Sequence, residues 1–562
     1  MVSLDAGDPG EATLVAANND RDGDRTGAPR QLRISVVLSG GASLGAYEAG
    51  AFAALLAGVQ RVQREDSRSV IVDGVGGASA GALVALFGAY ALLEGLDPID
   101  FLHEAWVERV SLDILRRRAG QGLLSFDRLR DDVRDFLCSE QGSVRLVAQP
   151  QEASIGLHVA LTGLQGLTYS IRSVEGDERF TAQTYSDWGQ FVLEPVRGAE
   201  QIFTPAGRSP LDYVLASAAH PGAFTPALLD RREHVDTYRS NGIENFPDSG
   251  HLWYSDGGLM QTEPLGRALE TARRANKDLV DDREFARAVV LIDPRSEDPS
   301  GASRWTDPSN TPRWLDGLRR ALEILPAQHL YDDAVRLEGS NRRLRWAAEL
   351  VDTLAPHLDG EAEEKLRDFL KRVVAEGGDS PDPPHDEDRA SSIEQALHSA
   401  ICHVGDLVNK EVVDVNVVSP RTLFEGKDES QEVSDLLAGD FMGDFGGFLN
   451  RDIRESDFLL GYASTEAWLP DGLQDAGFDR GAIESMADEV RSRQPGDWRA
   501  ANQGRARSRD LPRSARIDQA RLLWDAMRAL GADAVDFARV VDRARRLLRQ
   551  ATGAAPRGKP KR

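Results

Sequence analysis

The stretch VIVDGVGGASAGALVALFG, from Val70 to Gly88, decides how this chain is read. It begins with an apolar run carrying four β-branched side chains (Val70, Ile71, Val72 and Val75), the composition of a buried strand. Gly76-Gly77-Ala78-Ser79-Ala80-Gly81 follows as a tight turn, and the Ala/Leu/Val run beyond it predicts a buried helix. Strand, sharp turn and helix with a serine at the apex is the pattern of a nucleophile elbow. Small residues flank such a serine because its backbone is strained, and bulk on either side would strike the strand or the helix.

Just upstream the pattern recurs. Gln31–Leu38 (QLRISVVL) predicts a first core strand, Ser39-Gly40-Gly41-Ala42-Ser43-Leu44-Gly45 a flexible turn, and Ala46–Gln63 a helix. Two such units in succession predict an α/β fold with a largely parallel central sheet, whose ligands bind at the carboxyl ends of the strands. Both glycine turns fall there, and each holds a Gly-x-Ser-x-Gly. Acyl transfer needs an activated hydroxyl and backbone N–H groups aimed at the developing oxyanion. Adjacent Gly40 and Gly41 suit the donor role and leave Ser79 as nucleophile, although the pattern alone leaves the reverse assignment, with Ser43, open.

Composition narrows the function classes. The 562 residues carry a net charge of −24, which argues against a nucleic-acid partner. Two cysteines, Cys138 and Cys402, supply neither a disulfide framework nor a thiolate metal site, so no metal or cofactor is expected and the compartment is a reducing, cytoplasmic one. Residues 1–30 lack a basic segment followed by an apolar one; they predict a disordered leader and no secretory signal. Gly74–Leu93 is uncharged and long enough to cross a membrane, yet its glycines and the flanking Asp73 and Glu94 favour a buried strand-turn-helix over a transmembrane helix.

Further along, Ile99–Leu137 predicts a mixed helical cap packed through Trp106 and Phe126. Strands are expected at Ile155–Leu161 and Thr168–Arg172, a short helix at Leu211–Ala219, and turns throughout Asp230–His251. Leu252–Ser255 is a short strand entering Asp256-Gly257-Gly258; Leu265–Arg274 is a helix and Ala288–Ile292 a core strand. These complete a catalytic domain over residues 31–296. Residues 297–410 predict a helical insertion: a long amphipathic helix Trp314–Leu354 broken near Pro326, a helix Glu361–Glu376, a proline-bearing linker over 377–389 and a helix Ser391–Leu407. Val412–Val418 returns to strand character, so residues 411–470 rejoin the α/β domain, with Gly443–Phe448 as a glycine-rich turn against its core. Residues 471–562 form a helical extension, in which Trp468–Pro512 is charged and turn-rich. Arg516–Gln550 is amphipathic helix hinged at Gly531, and Arg557–Arg562 is a solvated basic tail.

An elbow serine needs a base. His158, His220 and His251 are the best placed for a Ser-His-Asp arrangement, but none stands in a distinctive motif. Asp256 sits between a strand and a Gly-Gly turn, which holds a carboxylate at a strand's end. Taken together, Gly40-Gly41-Ala42-Ser43-Leu44-Gly45, Gly77-Ala78-Ser79-Ala80-Gly81, the segment Ala216–Pro226 and Asp256-Gly257-Gly258 resemble the motifs of patatin-like phospholipases in order and character. The later strand and helices look similar to a longer bacterial patatin-related group. The resemblance implies a three-layer α/β/α fold and a Ser-Asp dyad of Ser79 (nucleophile) and Asp256 (general base). It further implies an oxyanion hole at Gly40, Gly41 and Ala42, elbow glycines Gly77 and Gly81, and support from Gly257 and Gly258. The implied substrate is a lipid or phospholipid ester, met by peripheral contact with a membrane; what the helical regions bind is not specified. The chain departs from the family's Gly-Gly-Gly-x-Arg-Gly loop at Ala42 and Leu44, and from its later asparagine at Thr262. Those departures motivate the alternative of a catalytically weak or inactive lipid-binding scaffold. A nucleotide-binding module ranks behind both, because the first loop lacks the phosphate-loop patterns.

Overall fold

In the computed structural model, residues 31–503 are described apart from 117–122, 139–145, 173–178, 277–284, 296–313, 370–392, 425–435 and some shorter gaps. Eight strands form one sheet: β1 (Gln31–Leu38), β2 (Val70–Gly77), β3 (Ile155–Arg172), β4 (Arg179–Leu193), β5 (Ala227–Asp230), β6 (His251–Ser255), β7 (Phe285–Ile292) and β8 (Asp414–Val418). Their order is β5-β6-β3-β2-β1-β7-β8, with β4 also pairing β3. The five strands from β8 to β3 run parallel; β4 and β6 oppose β3, and β5 opposes β6. This is the mixed α/β architecture, with a mostly parallel central sheet, that the two strand-turn-helix units predict.

β1 and β2 are buried along their whole length, as their near-continuous apolar sequence requires of central parallel strands. The exception, Asp73 inside β2, is matched by the buried Arg287 of β7 at 2.7 Å. Helix α1 (Gly45–Gln63) is apolar on all sides and buried on all sides. It crosses the helix Arg451–Gly472 at two glycines. A Cβ on Gly50 would lie 1.9 Å from the Phe458 carbonyl oxygen, and one on Gly461 would lie 1.9 Å from that of Tyr47. Helix α2 (Ala80–Leu93) is also fully buried. The described segment long and apolar enough to span a membrane is Ala42–Gln63, and 94% of its apolar window is buried inside the protein.

Several expectations give way to tertiary context. Gly163 and Gly166 do not separate two strands: β3 is continuous, a register shift between Thr162 and Leu167 absorbs the glycines, and the polar strand β4 pairs along it. Asp230–His251 holds the helix Val235–Ser240 as well as turns. Trp314–Leu354 runs unbroken through Pro326, since one proline removes one backbone bond from a helix of 41 residues. The charged region from Trp468 contains the rest of Arg451–Gly472 and the helices Arg480–Ser492 and Trp498–Gln503. Its charges face outward while Ile483, Met486, Ala487 and Val490, at helical spacing, are buried. The leader, the 377–389 linker, the Arg516–Gln550 helices and the basic tail lie outside the described residues, as does much of Glu361–Glu376.

Candidate active site

β2 ends at Gly77 and α2 begins at Ala80, so the backbone reverses within two residues. Ser79 sits at the N-terminus of α2 with φ 53° and ψ −128°, a conformation L-residues rarely adopt. The last carbonyl of β1 imposes the glycines on either side: Cβ atoms on Gly77 and Gly81 would lie 2.8 Å and 2.5 Å from Leu38 O. Held this way, the Ser79 hydroxyl donates to Asp256 Oδ2 at 2.7 Å. The Ser79 N–H donates to Ser217 Oγ at 3.0 Å, and Ser217 Oγ donates to Ala160 O of β3 at 2.6 Å.

Asp256 follows β6 and is anchored by its own N–H, which donates to Ala219 O at 3.0 Å. Its second oxygen, Oδ1, accepts the Gly258 N–H at 2.8 Å. Gly257 leaves no room for a side chain, because a Cβ there would lie 2.1 Å from Ala160 O. Burial raises the carboxyl pKa above the usual aspartate value, against the opposing pull of the Ser79 hydroxyl, His220, the Gly258 N–H and Arg295. Its proton affinity therefore exceeds that of an ordinary aspartate, and it already holds the hydroxyl proton it would accept.

The first glycine loop lies against this elbow: a Cβ on Gly40 would fall 2.4 Å from Ala78 O. Gly40, Gly41 and Ala42 all have positive φ, at 85°, 132° and 48°. The three positions do not offer equivalent donors. The Gly40 N–H donates to Glu48 Oε1 at 2.6 Å, whereas the N–H groups of Gly41 and Ala42 have no partner among the described residues. Ser43 is buried; its N–H and Oγ both donate to Asp444 O, and its Oγ accepts the Gly447 N–H at 2.9 Å. Gly443–Phe448 was expected as a turn against the core; its described residues pack on this loop. Leu44 is fully buried.

Beneath the loop lie two further buried acids. Burial pushes Glu48 and Glu263 up to about 8, with Asp293 nearby reinforcing the shift in both. Of the three histidines, His158 is fully buried on β3 without a ring hydrogen bond among the described residues, and burial lowers it to about 3. His251 is exposed beside Ser249 O. His220 packs its ring 5.7 Å from Phe445, near enough for its charge to act on Asp256. Among the described residues, no group of three or more His, Cys, Asp or Glu side chains could hold a metal ion.

Sequence inspection missed Glu48, Ser217, Arg295 and Asp444. A lone charge inside the apolar α1 signals Glu48, and Ser217 lies within the Ala216–Pro226 motif. Arg295 and Asp444 carry no local signal, because only the tertiary fold brings them to the loop. Residues 36–269 match the family model of patatin-like phospholipase. No curated protein matches the chain significantly.

Proposed function

Residues 36–269 form a patatin-like phospholipase domain, and on that premise we propose that this chain is a serine lipid acyl hydrolase acting through Ser79 and Asp256. The observation that carries the proposal is the 2.7 Å hydrogen bond from an elbow serine, at φ 53°, to a buried carboxylate of raised proton affinity. Asp256 accepts the Ser79 proton as Oγ attacks the ester carbonyl. The N–H groups of Gly41 and Ala42 are the donors for the oxyanion. Collapse of the tetrahedral intermediate expels the alcohol, a lysolipid or glycerol derivative, protonated by Asp256. Water then gives a proton to Asp256, attacks the acyl-serine and releases the fatty acid. The substrate is a fatty-acyl ester of phospholipid or lysophospholipid type, reached by peripheral contact with a lipid surface.

Ala42 supports a second assignment, a lipid-binding module with little catalysis, because a Cβ at φ 48° strains one of the two available donors. Hydrolysis of short-chain esters and phospholipid vesicles by the wild type, Ser79→Ala and Asp256→Asn decides between them. The proposal requires release of fatty acid that both substitutions suppress. Equal turnover in either variant overturns the dyad, and a wild type that neither turns over nor reacts with a fluorophosphonate at Ser79 favours the binding module.

A further inference from the structure

Three loop residues, Gly41 to Ser43, are gripped from one side by groups that lie outside residues 36–269. Asp444, itself at φ 66°, accepts from the Ser43 N–H and Oγ through its main-chain carbonyl. Its side chain pairs with the Arg295 guanidinium. Nη2 of Arg295 lies 3.1 Å from the point where a Cβ on Gly41 would stand, so it sits directly against the loop backbone. The Arg295 N–H donates to Asp293 Oδ1 at 2.9 Å, which fixes the arginine at the end of β7. Behind Asp444, Gly447 donates to Ser43 Oγ, and its carbonyl accepts from Nη1 of the buried Arg454 at 2.8 Å. Arg454 Nε also donates to Val107 O at 2.8 Å. The grip is thus anchored to the helix Arg451–Gly472.

A loop at φ 132° and 48° needs such restraint. Strained backbone persists only where its surroundings over-determine it, and a small displacement of oriented groups costs a large factor in rate. The loop's own sequence offers no polar side chain for the task, since Leu44 is buried in the core.

We infer that Arg295 and Asp444 are a positioning pair for the oxyanion loop, so that a turn 401 residues beyond Ser43 completes the active site. The inference rests on the acyl-hydrolase assignment of Ser79. Asp444→Asn is the informative variant: asparagine tolerates positive φ and keeps the main-chain carbonyl, so only the charge is lost. The full-length variant should hydrolyse a short-chain ester with kcat about 10-fold lower and KM within about twofold of wild type. Fluorophosphonate labelling of Ser79 should slow in the same proportion, with the unfolding temperature unchanged. Arg295→Gln should behave likewise and Arg295→Lys should recover part of the loss. The double variant Arg295→Gln/Asp444→Asn should be no worse than the weaker single one. Wild-type kcat and labelling in either charge-removing variant overturn the inference. So do additive losses in the double variant, or a loss of kcat matched by a fall in unfolding temperature. A wild type that neither labels nor hydrolyses overturns the acyl-hydrolase assignment itself.

Discussion

Two turns of the same five-residue pattern, Gly41–Gly45 and Gly77–Gly81, stand side by side at the carboxyl ends of neighbouring parallel strands. They differ in which residue bears the strain. In the second turn it is the serine, at φ 53°, and its hydroxyl meets a carboxylate. In the first it is Gly41 and Ala42, while Ser43 opens a regular helical turn and is buried under Asp444 and Gly447. Strain at the serine offers a hydroxyl to a substrate; strain just before it offers N–H groups. The motif therefore names a backbone reversal, and position within the reversal sets the chemistry.

The comparison breaks most sharply at the serines. Ser79→Ala should lower kcat for ester hydrolysis by at least about 10³-fold. Ser43→Ala, which removes two hydrogen bonds but no reacting atom, should cost only about 10-fold, read in the same assay. Asp256→Asn should cost on the order of 10²–10⁴. In the wild type, the acidic limb of the kcat/KM profile should lie above the ordinary aspartate value, because burial raises the Asp256 pKa. Gly81→Ala, forced against Leu38 O, should destabilise the fold by about 1–3 kcal/mol in denaturant titration.

The acids under the first turn give a pH signature. Folded Glu48 keeps its proton to about 8, while the unfolded chain releases it near 4.5. Between those values the folded state binds more protons, so stability falls as pH rises, and the contribution is gone above 8. Unfolding temperature should thus decline from pH 5 to pH 8, and Glu48→Gln should flatten the decline. The smallest effect belongs to Ala42→Gly. Relief of positive φ should stabilise by about 1 kcal/mol, without loss of turnover.

The parallel core and the elbow were legible because each rests on local signals: apolar runs, glycine turns and the β-branched residues of β1, β2 and β7. Asp256 was legible for the same reason, as a carboxylate between a strand and a Gly-Gly turn. What stayed hidden depends on contacts between distant segments. β4 looked too polar for a strand because β3 supplies its pairing, and the Arg480–Ser492 helix looked like turns because its apolar stripe is only four residues wide. The Glu48 bond to Gly40 could not be seen either, since it forms only when α1 folds back beneath the loop.

The glycine crossing of α1 with the helix Arg451–Gly472 has a consequence for synthesis. α1 emerges from the ribosome early, but the helix that covers it follows some four hundred residues later. At roughly 5–20 residues per second that interval is about 20–80 s. Throughout it, the most apolar long helix of the described chain has one face without its native cover, and that helix passes the composition test for a membrane span. The late helix thus acts as a clasp on the nascent chain. Truncation before Arg451 should leave α1 exposed, giving a product that aggregates or is held by chaperones while its family-matched segment is intact. Pelleting of such a truncated chain against full-length protein measures this directly.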